Sequence, residues 1–562
     1  MDDFALPSLE WDVIVSGTGV KPSLLAAALS RAGKRVLQVD DKDYYGDTQA
    51  AFSLDELEGW AASVSAPFSH ASCERRATIA RPRSYTLTLA PHLVYWSSNL
   101  LELLRNVEMT TSFTWQAVGS WWIFLTDEDV AQRSSGGGGI GGALVDAGVK
   151  AVKVGDTVRK KAGWNKGRKR ESRDLTSDLP PELQQTGDAP TLRKLGGVLR
   201  EVPCTFEDVA WSPDLQDRDR GYLGGLLRFI SKCSDPEDTK HHQLLAEHAD
   251  TPLSEFLTTV YPLPPFTIAS IHSLTLLPTP PEATPLRTAL DALIRHVSSI
   301  GRIPDIRSAA ALTIAYGGSS ELCQVWSRGA AVAGGINVLS RGMTSITPGD
   351  DGKHCISLSN GEVVTALWVL TTATTATAAP SSITSLAKGI FVISAPLHAL
   401  FTKKFADDRI PPNAAVLTFP SGSLKTEDQV CNKNPVYIIA HASATGECGP
   451  GEAVLYTSTL SPQPVGYVFS ELAVRRVLSA CGEEGADISF VCRFTQEFAT
   501  PIAADSKEDG LVELSPMSGD LAFDAGVVEE CKQVYERIIG TKEGFLEMTE
   551  EMRRQYALAE EE

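Results

Sequence analysis

The chain has 562 residues, enough for two or more domains, and its charged and aromatic fractions of 22% and 7% are ordinary for a globular protein. Its formal net charge of −19 argues against nucleic acid as the main partner, because phosphate binding needs a basic surface. It suits a protein partner with a basic segment. The ten cysteines include no CxxC pair, which predicts reduced thiols in the cytosol. No apolar run approaches the ~20 residues that a membrane-spanning helix needs.

The stretch 11–40 has the pattern of a βαβ unit. Asp12 is followed by three apolar, β-branched residues, and the stretch 12–15 predicts a buried parallel strand. A helix is expected over 23–32, with Gly33 as its C-terminal cap, and a second strand over 35–40.

This unit carries a broken dinucleotide fingerprint. Gly17 and Gly19 follow the first strand, and Asp40 ends the second strand at the distance of the acid that binds a ribose. Pro22 stands where the fingerprint needs a third glycine for close packing of helix on strand. Proline is acceptable in the first turn of a helix, so the sequence predicts that the fold survives and the cofactor site does not.

Two adjacent tyrosines, Tyr44 and Tyr45, follow in a polar loop at the carboxyl end of the predicted sheet. Either they form a binding surface or one ring is buried and the other exposed without a function. A short amphipathic helix is expected over 53–64 and a strand over 113–125.

The composition then changes to Gly/Ser-rich and Lys/Arg-rich sequence, so 133–195 is interpreted as a disordered insertion without a core of its own. Its basic runs fit either a solvated loop or a nuclear-import or lipid-surface patch. The residues 199–204 are expected to pair with the strand that ends near Phe124, which places the insertion at the tip of a hairpin.

From 221 to 299 the apolar residues follow a helical period, which predicts a small helical bundle. The helix 266–277 is apolar on nearly every side, so it either fills the core or lines a cavity for an apolar ligand.

A second informative helix begins after Tyr316-Gly317-Gly318. A serine is expected at its N-cap, and Glu321 and Arg328 lie seven positions apart, so they present opposite charges on one helix face. In most proteins such a pair is a solvated surface feature. Near its end the chain contains Gly519-Asp520 and a helix over 527–539 that is expected to pack back on the first sheet.

Three segments together resemble one family: 11–40 with the Asp43-Tyr44-Tyr45-Gly46 loop, the stretch from Tyr316 to Arg328 followed by Gly334-Gly335, and the closing Gly519-Asp520. In order and spacing they resemble Rab GDP-dissociation inhibitors and Rab escort proteins. One extra serine, Ser319 or Ser320, departs from the spacing of the family's Tyr-Gly-x-x-Glu motif.

The resemblance implies an α/β fold in which a large discontinuous flavoprotein-like (FAD/NAD(P)-binding-type) domain holds an inserted helical domain. The expected large domain comprises 1–132, a return strand in 196–220, and 300–545, with helices over 221–299 and an acidic tail over 546–562.

The resemblance also implies a Rab escort protein without flavin, metal or catalytic residues. Its expected partners are GDP-bound Rab GTPases, the α/β heterodimer of Rab geranylgeranyltransferase and the geranylgeranyl lipid, and its location is cytoplasmic with transient membrane contact. Tyr45, Glu321 and Arg328 match the family's Rab-binding residues, and the lipid is expected along the helix that carries Phe266, Ile268, Ile271 and Leu274.

Two other functions share these features. A Rab GDP-dissociation inhibitor would recycle prenylated Rab without presenting unprenylated Rab to a transferase. An FAD-dependent oxidoreductase would need the third glycine that Pro22 replaces.

Overall fold

The computed structural model describes residues 6–79, 81–129, 191–193, 197–211, 215–349, 351–372, 383–405, 408–483, 485–499 and 510–547. Of the predicted insertion 133–195 only 191–193 is described, and it forms a strand that pairs with 198–200; of the predicted tail 546–562 only 546 and 547 are described.

The α-helices of the described residues come from both halves of the chain. They are α1 Val20–Arg31, α2 Leu54–Ala62, α3 Asn99–Asn106, α4 Phe206–Trp211, α5 Asp217–Cys233, α6 Thr239–His248, α7 Leu253–Thr259, α8 Pro265–Ser273, α9 Leu286–Ser299, α10 Ser319–Val332, α11 Val465–Ala480 and α12 Gly526–Ile539.

The strands come from both halves of the chain. They are β1 Glu10–Ser16, β2 Val36–Val39, β3 Ala51–Phe52, β4 Phe68–Arg75, β5 Leu87–Thr88, β6 Val94–Tyr95, β7 Trp115–Thr126, β8 Thr191–Arg193, β9 Gly197–Glu201, β10 Ala311–Ile314, β11 Ile336–Val338, β12 Met343–Pro348, β13 His354–Leu358, β14 Val363–Thr372, β15 Ile383–Ile393, β16 Ala414–Phe419, β17 Val436–Ala442, β18 Ala453–Thr459, β19 Ile488–Ala499 and β20 Leu511–Leu514.

The first sheet is built on the βαβ unit. Within the described residues its order is β11-β2-β1-β14-β13-β12, with β20 beside β14, and β11, β2, β1, β14 and β20 are parallel. The apolar run in β1 is buried on both faces, as expected for a central parallel strand. Helices α1, α10 and α12 cover one face, and the hairpin β12-β13 continues the sheet on the other side of β14.

The second sheet is mostly antiparallel. Its order within the described residues is β4-β19-β15-β18-β17-β16-β7-β10-β6, and β9 pairs with β7. The expected pairing of the return strand is confirmed, because Leu199 of β9 lies opposite Phe124 of β7. The helices α5 to α9 lie between β9 and β10 in the chain, so the domain that contains the sheets is discontinuous.

The helical segment and the second sheet share one apolar core. This core includes Leu226 and Phe229 of α5, Leu290 of α9, and Trp121 and Tyr437 of the sheet. The bundle expected over 221–299 is present, although α5 begins four residues earlier, at Asp217.

No helix among the described residues has both the length and the apolar character needed to cross a membrane. The same residues contain no group of three or more His, Cys, Asp or Glu side chains positioned to hold a metal ion.

Candidate interaction site

The glycine turn after β1 is held by Asp40. Gly17 adopts a φ of +90°, which favours glycine, and α1 begins at Val20, three residues earlier than the pattern predicts. The Asp40 Oδ2 atom accepts hydrogen bonds of 2.7 Å from both the backbone N–H and the hydroxyl of Thr18. Burial raises the pKa of Asp40 to about 6, while the hydrogen bonds from Thr18 act in the opposite direction. The acid that would bind a ribose therefore braces the turn instead.

The start of α1 is covered by the chain itself. The Gln49 Oε1 atom accepts a hydrogen bond of 3.3 Å from the backbone N–H of Val20, and a Cβ added to Gly19 would lie 3.3 Å from the same oxygen. In a dinucleotide-binding protein, a pyrophosphate approaches these positions. Lys21 is also engaged, because its Nζ atom lies 2.6 Å from Glu530 Oε2. These residues do not fit a dinucleotide or flavin pyrophosphate.

The tyrosine loop packs against the side of this turn. The Tyr44 ring meets Phe52 edge-on at 4.8 Å between centroids, and burial raises the pKa of Tyr44 to about 12. Tyr45 is half-buried, and burial together with the nearby Asp40 raises the pKa of its hydroxyl. The arrangement with one buried and one exposed ring is wrong, because both tyrosines are partly covered, and the binding surface stays a prediction.

The turn before α10 differs from the expected serine cap. Gly318 is the N-cap, with φ +59° and ψ −129°, a backbone conformation that glycine adopts more readily than other residues. Ser319 is already helical, and its hydroxyl lies 2.8 Å from His92 Nδ1. The extra serine of the motif is therefore accommodated inside the first helical turn, and the prediction of a serine N-cap was wrong.

Helix α10 presents one face to α1 and the other to solvent. On the inner face, Leu322, Cys323 and Trp326 are buried, and the Ser327 hydroxyl donates to Ser23 of α1 at 3.2 Å. On the outer face, Glu321 is half-buried and burial raises its pKa, whereas Arg328 is exposed. Within the described residues, Arg328 makes no hydrogen bond or ion pair.

The tyrosine loop and the start of α10 meet around Gly317. A Cβ on Gly317 would lie 3.2 Å from Ala51 Cβ and 3.1 Å from Glu321 Oε1. Asp47 and Glu321 are both close enough to raise the pKa of the buried Cys323 thiol, whose largest shift comes from burial. The structure thus brings the start of β3, which follows the tyrosine loop in the chain, next to the first turn of α10. Arg328 follows about 10 Å along the helix axis, at 1.5 Å per residue.

Tyr316 is an exposed aromatic residue of this surface that the sequence patterns did not single out. Its side chain is 52% exposed, and its backbone has a φ of +70°. Its N–H donates to Thr445 O at 2.9 Å, and its ring leaves no room for a Cβ on Gly446. A tyrosine directly before two glycines was the available signal. We call Tyr45, Tyr316, Glu321 and Arg328 the platform.

The helix expected to face lipid is mostly a core element. It ends at Ser273 and not at Leu277, and Ile268, Ile271 and Leu274 are only 5–6% exposed. These side chains belong to the core shared with the second sheet, whereas Phe266 is half-buried. Three of the four expected lipid residues therefore fill the core, the alternative considered for a helix that is apolar on all sides.

A family model described as GDP dissociation inhibitor matches residues 8–134, which include β1, α1, β2 and the tyrosine loop. Component A of Rab proteins geranylgeranyltransferase from Candida albicans is 23% identical over 473 residues, which cover 80% of this chain and 59% of that protein. Over these residues the chain is similar to GDP dissociation inhibitors and to component A of Rab geranylgeranyltransferase. It spans less than two thirds of the length of the Candida relative.

Two solved structures share the fold of this chain. A Rab GDI from Plasmodium falciparum is 17% identical with a TM-score of 0.59, and the match covers 95% of this chain and 98% of that one. An oxidoreductase from Methanosarcina mazei is 11% identical with a TM-score of 0.52, over 93% of this chain and 100% of that one. The fold is therefore α/β, with a large flavoprotein-like domain of the kind the family resemblance implies.

Proposed function

We propose that this protein is a Rab escort protein. It binds GDP-bound Rab GTPases, presents them to the α/β heterodimer of Rab geranylgeranyltransferase, and delivers the prenylated Rab to membranes. It acts as a non-catalytic accessory subunit that works in the cytoplasm with transient membrane contact, and it has no cofactor of its own.

The observation that carries this proposal is the meeting of the tyrosine loop with the first turn of α10. Tyr45 and Glu321 come from distant parts of the chain, and the proposal is supported by the closeness of Gly317 both to Glu321 and to Ala51, six residues after Tyr45. A surface that combines exposed Tyr316 with exposed Arg328 has the residue types that are enriched at interaction hot spots.

Electrostatics favour a partner with complementary charge. The net charge of −19 steers a protein with a basic segment towards this chain. On the platform, the guanidinium of Arg328 is available for a Rab carboxylate, which it can hold with two parallel hydrogen bonds. The Glu321 carboxylate can accept a hydrogen bond from a basic Rab residue, which would replace the water that still contacts it.

The helical segment supplies apolar surface for a lipid. Many of its apolar side chains are only partly buried: Tyr222, Leu244, Leu245, Val260, Tyr261, Phe266, Ala269, Leu277, Ile294 and Val297. Helix α6 has no fully buried residue, so it is the least firmly packed member of the bundle. We infer that a geranylgeranyl chain packs on part of this partly buried apolar surface.

The main alternative is a Rab GDP-dissociation inhibitor, which would use the same platform and the same helices. The relative named as transferase component A supports the escort function, and the fold shared with a Rab GDI is compatible with either. An FAD-dependent oxidoreductase is disfavoured, because Gln49 covers the start of α1 and the Asp40 carboxylate is bound to Thr18.

The experiment that separates these functions is a prenylation assay with purified components. An unprenylated Rab, geranylgeranyl diphosphate and the transferase heterodimer are incubated with or without this protein, and incorporation of lipid into the Rab is measured. An escort protein makes incorporation dependent on its presence. Binding of prenylated Rab without any stimulation of the transferase would identify a GDP-dissociation inhibitor instead.

A matched pair of variants keeps the assay specific. Arg328→Ala removes the exposed arginine of the platform, and Arg409→Ala removes another exposed arginine, which is 81% exposed and pairs with Asp305. The proposal expects stimulation to fall with Arg328→Ala and to persist with Arg409→Ala.

A further inference from the structure

Two cysteines face each other across neighbouring strands of the second sheet. Cys73 of β4 lies directly opposite Cys492 of β19 in the antiparallel ladder. Directly opposed residues in such a ladder have Cα atoms about 4.5–5.5 Å apart. Disulfides join cysteines whose Cα atoms are about 4.4–6.8 Å apart, so this pair can be bridged without rearrangement of the backbone.

The two thiols differ in their access to solvent. Cys492 is fully buried, whereas Cys73 is half-buried. A hydrogen bond with Cys73, together with burial, raises the pKa of the Cys492 thiol well above its ordinary value. Because the two residues are directly opposed in the ladder, their side chains lie on the same face of the sheet, and an oxidant from solvent reaches Cys73 first.

We propose that Cys73 and Cys492 form a redox-sensitive staple that closes to a disulfide in the presence of a hydroperoxide. The Cys73 thiolate attacks the peroxide oxygen, which gives a sulfenic acid on Cys73 and releases water from hydrogen peroxide. The Cys492 sulfur then attacks the sulfenic sulfur, forms the S–S bond and expels a second water after proton transfer. Two thiols are oxidised and one peroxide is reduced to two waters.

The staple would fasten an outer strand to the sheet. Within the described residues, β4 is the outermost strand on its side and pairs with β19 alone. Helix α2 packs on β4, since Arg75 pairs with Asp55 and Glu58 and the Cys73 Sγ atom lies 3.7 Å from Leu57 O. Disulfide formation gives up this last S–H···O contact and replaces it with a covalent link from β4 to β19.

Aromatic contacts extend the effect from the staple towards the tyrosine loop. Trp60 of α2 meets Phe494 of β19 at 5.4 Å and Phe68 of β4 at 5.1 Å, and it stacks on Phe52 at 6.1 Å. Phe52 in turn meets Tyr44. Locking β4 on β19 therefore restrains α2 and the segment that leads into it.

The test uses the full chain treated with hydrogen peroxide. After denaturation, titration of thiols should find two fewer than the ten cysteines of the reduced protein, and dithiothreitol should restore both. Peptide mapping should find Cys73 linked to Cys492, and hydrogen exchange of 54–75 should slow in the oxidised protein.

Two serine variants provide the controls. In Cys73→Ser, peroxide should not remove a pair of titratable thiols, and the hydrogen exchange of 54–75 should not change. Cys355→Ser should behave like the wild type, because Cys355 is also a half-buried strand cysteine but faces Thr347 and Thr365. Oxidation of other thiols without a Cys73–Cys492 link would overturn the proposal, and so would a link that leaves the exchange of 54–75 unchanged.

Discussion

The Gln49 side chain caps the N-terminus of α1: its Oε1 atom accepts a hydrogen bond of 3.3 Å from the backbone N–H of Val20. In the dinucleotide-binding proteins that share this βαβ unit, the same N–H groups point at a pyrophosphate. Here the segment Asp47–Gln49 forms a short 3-10 helix over the glycine turn. The βαβ unit is therefore present, and the position that a pyrophosphate would approach is covered by Gln49.

The first prediction is that the purified protein carries no flavin, because Gln49 covers the helix start that a flavin pyrophosphate would approach. The visible absorption spectrum of the freshly purified protein checks this. Absorption bands at roughly 450 nm, where oxidised flavins absorb, would refute it if their intensity corresponded to one flavin per protein.

The sequence predicted much of this site because its signals are local. The glycines, Asp40 and the tyrosine pair lie within one βαβ unit, where strand and helix periods fix their positions. The sequence could not show that Gln49 would cover the helix start or that Gly318 would displace the serine cap. Both depend on the path of a loop in three dimensions.

Long-range packing explains the other differences. Helix α8 looked like a ligand-binding helix because it is apolar on nearly every side, yet its Ile268 and Ile271 pack in the core shared with the second sheet. Glu321 and Arg328 were expected to present opposite charges on one helix face, but Glu321 is half-buried and Arg328 is exposed. The depth of a side chain depends on elements that are distant in sequence.

The second prediction concerns the lipid surface. Phe266→Asp should weaken binding of doubly geranylgeranylated Rab and spare unmodified Rab. Each buried CH₂ of the lipid contributes about 0.8 kcal/mol, and a charge on α8 opposes burial of the lipid chain. The control is Thr258→Asp, at an exposed position of α7. Titration of each variant with both forms of Rab measures the difference, and equal losses for both forms would indicate misfolding and not a lipid site.

The third prediction is that residues 134–190 are dispensable for folding. Their flanks are held together, because Thr126 lies opposite Gly197 and β9 pairs along β7, so a short linker adds little loop-closure entropy. A variant that lacks residues 134–190, carries a short Gly/Ser linker in their place and retains β8 should melt near the wild-type temperature. Aggregation or a much lower melting temperature would show that the segment is structural.

The fourth prediction is a loss of stability in mild acid. Burial lowers the pKa of His92 and His296 to about 3 and that of His272 to about 4. In the unfolded chain these groups titrate near pH ~6.5, so below that pH the unfolded state binds more protons. The contribution of these histidines to the free energy of unfolding is therefore fully present above about pH 6.5, and it is lost as the pH decreases towards 4.

A pair of variants isolates this effect from the titration of carboxylates. His296→Gln should reduce the slope of unfolding free energy against pH by up to one proton, about 1.4 kcal/mol per pH unit. His398→Gln, at an exposed histidine, should leave the slope unchanged. Denaturant unfolding between pH 7 and pH 4.5 measures both, and parallel curves for wild type and His296→Gln would contradict the assignment.

The most direct measurement of the central claim is calorimetric titration of GDP-loaded Rab into Tyr45→Ala and Arg328→Ala, with a melting curve for each variant. Loss of one partner of a desolvated charged pair costs ~2–5 kcal/mol, so Arg328→Ala should weaken binding about thirtyfold or more. Tyr45→Ala should weaken it to a similar degree as a lost aromatic contact. Arg328→Ala should melt normally, because that side chain is exposed and makes no ion pair within the described residues. Wild-type affinity in variants that melt normally would contradict the platform and the proposed Rab-binding function.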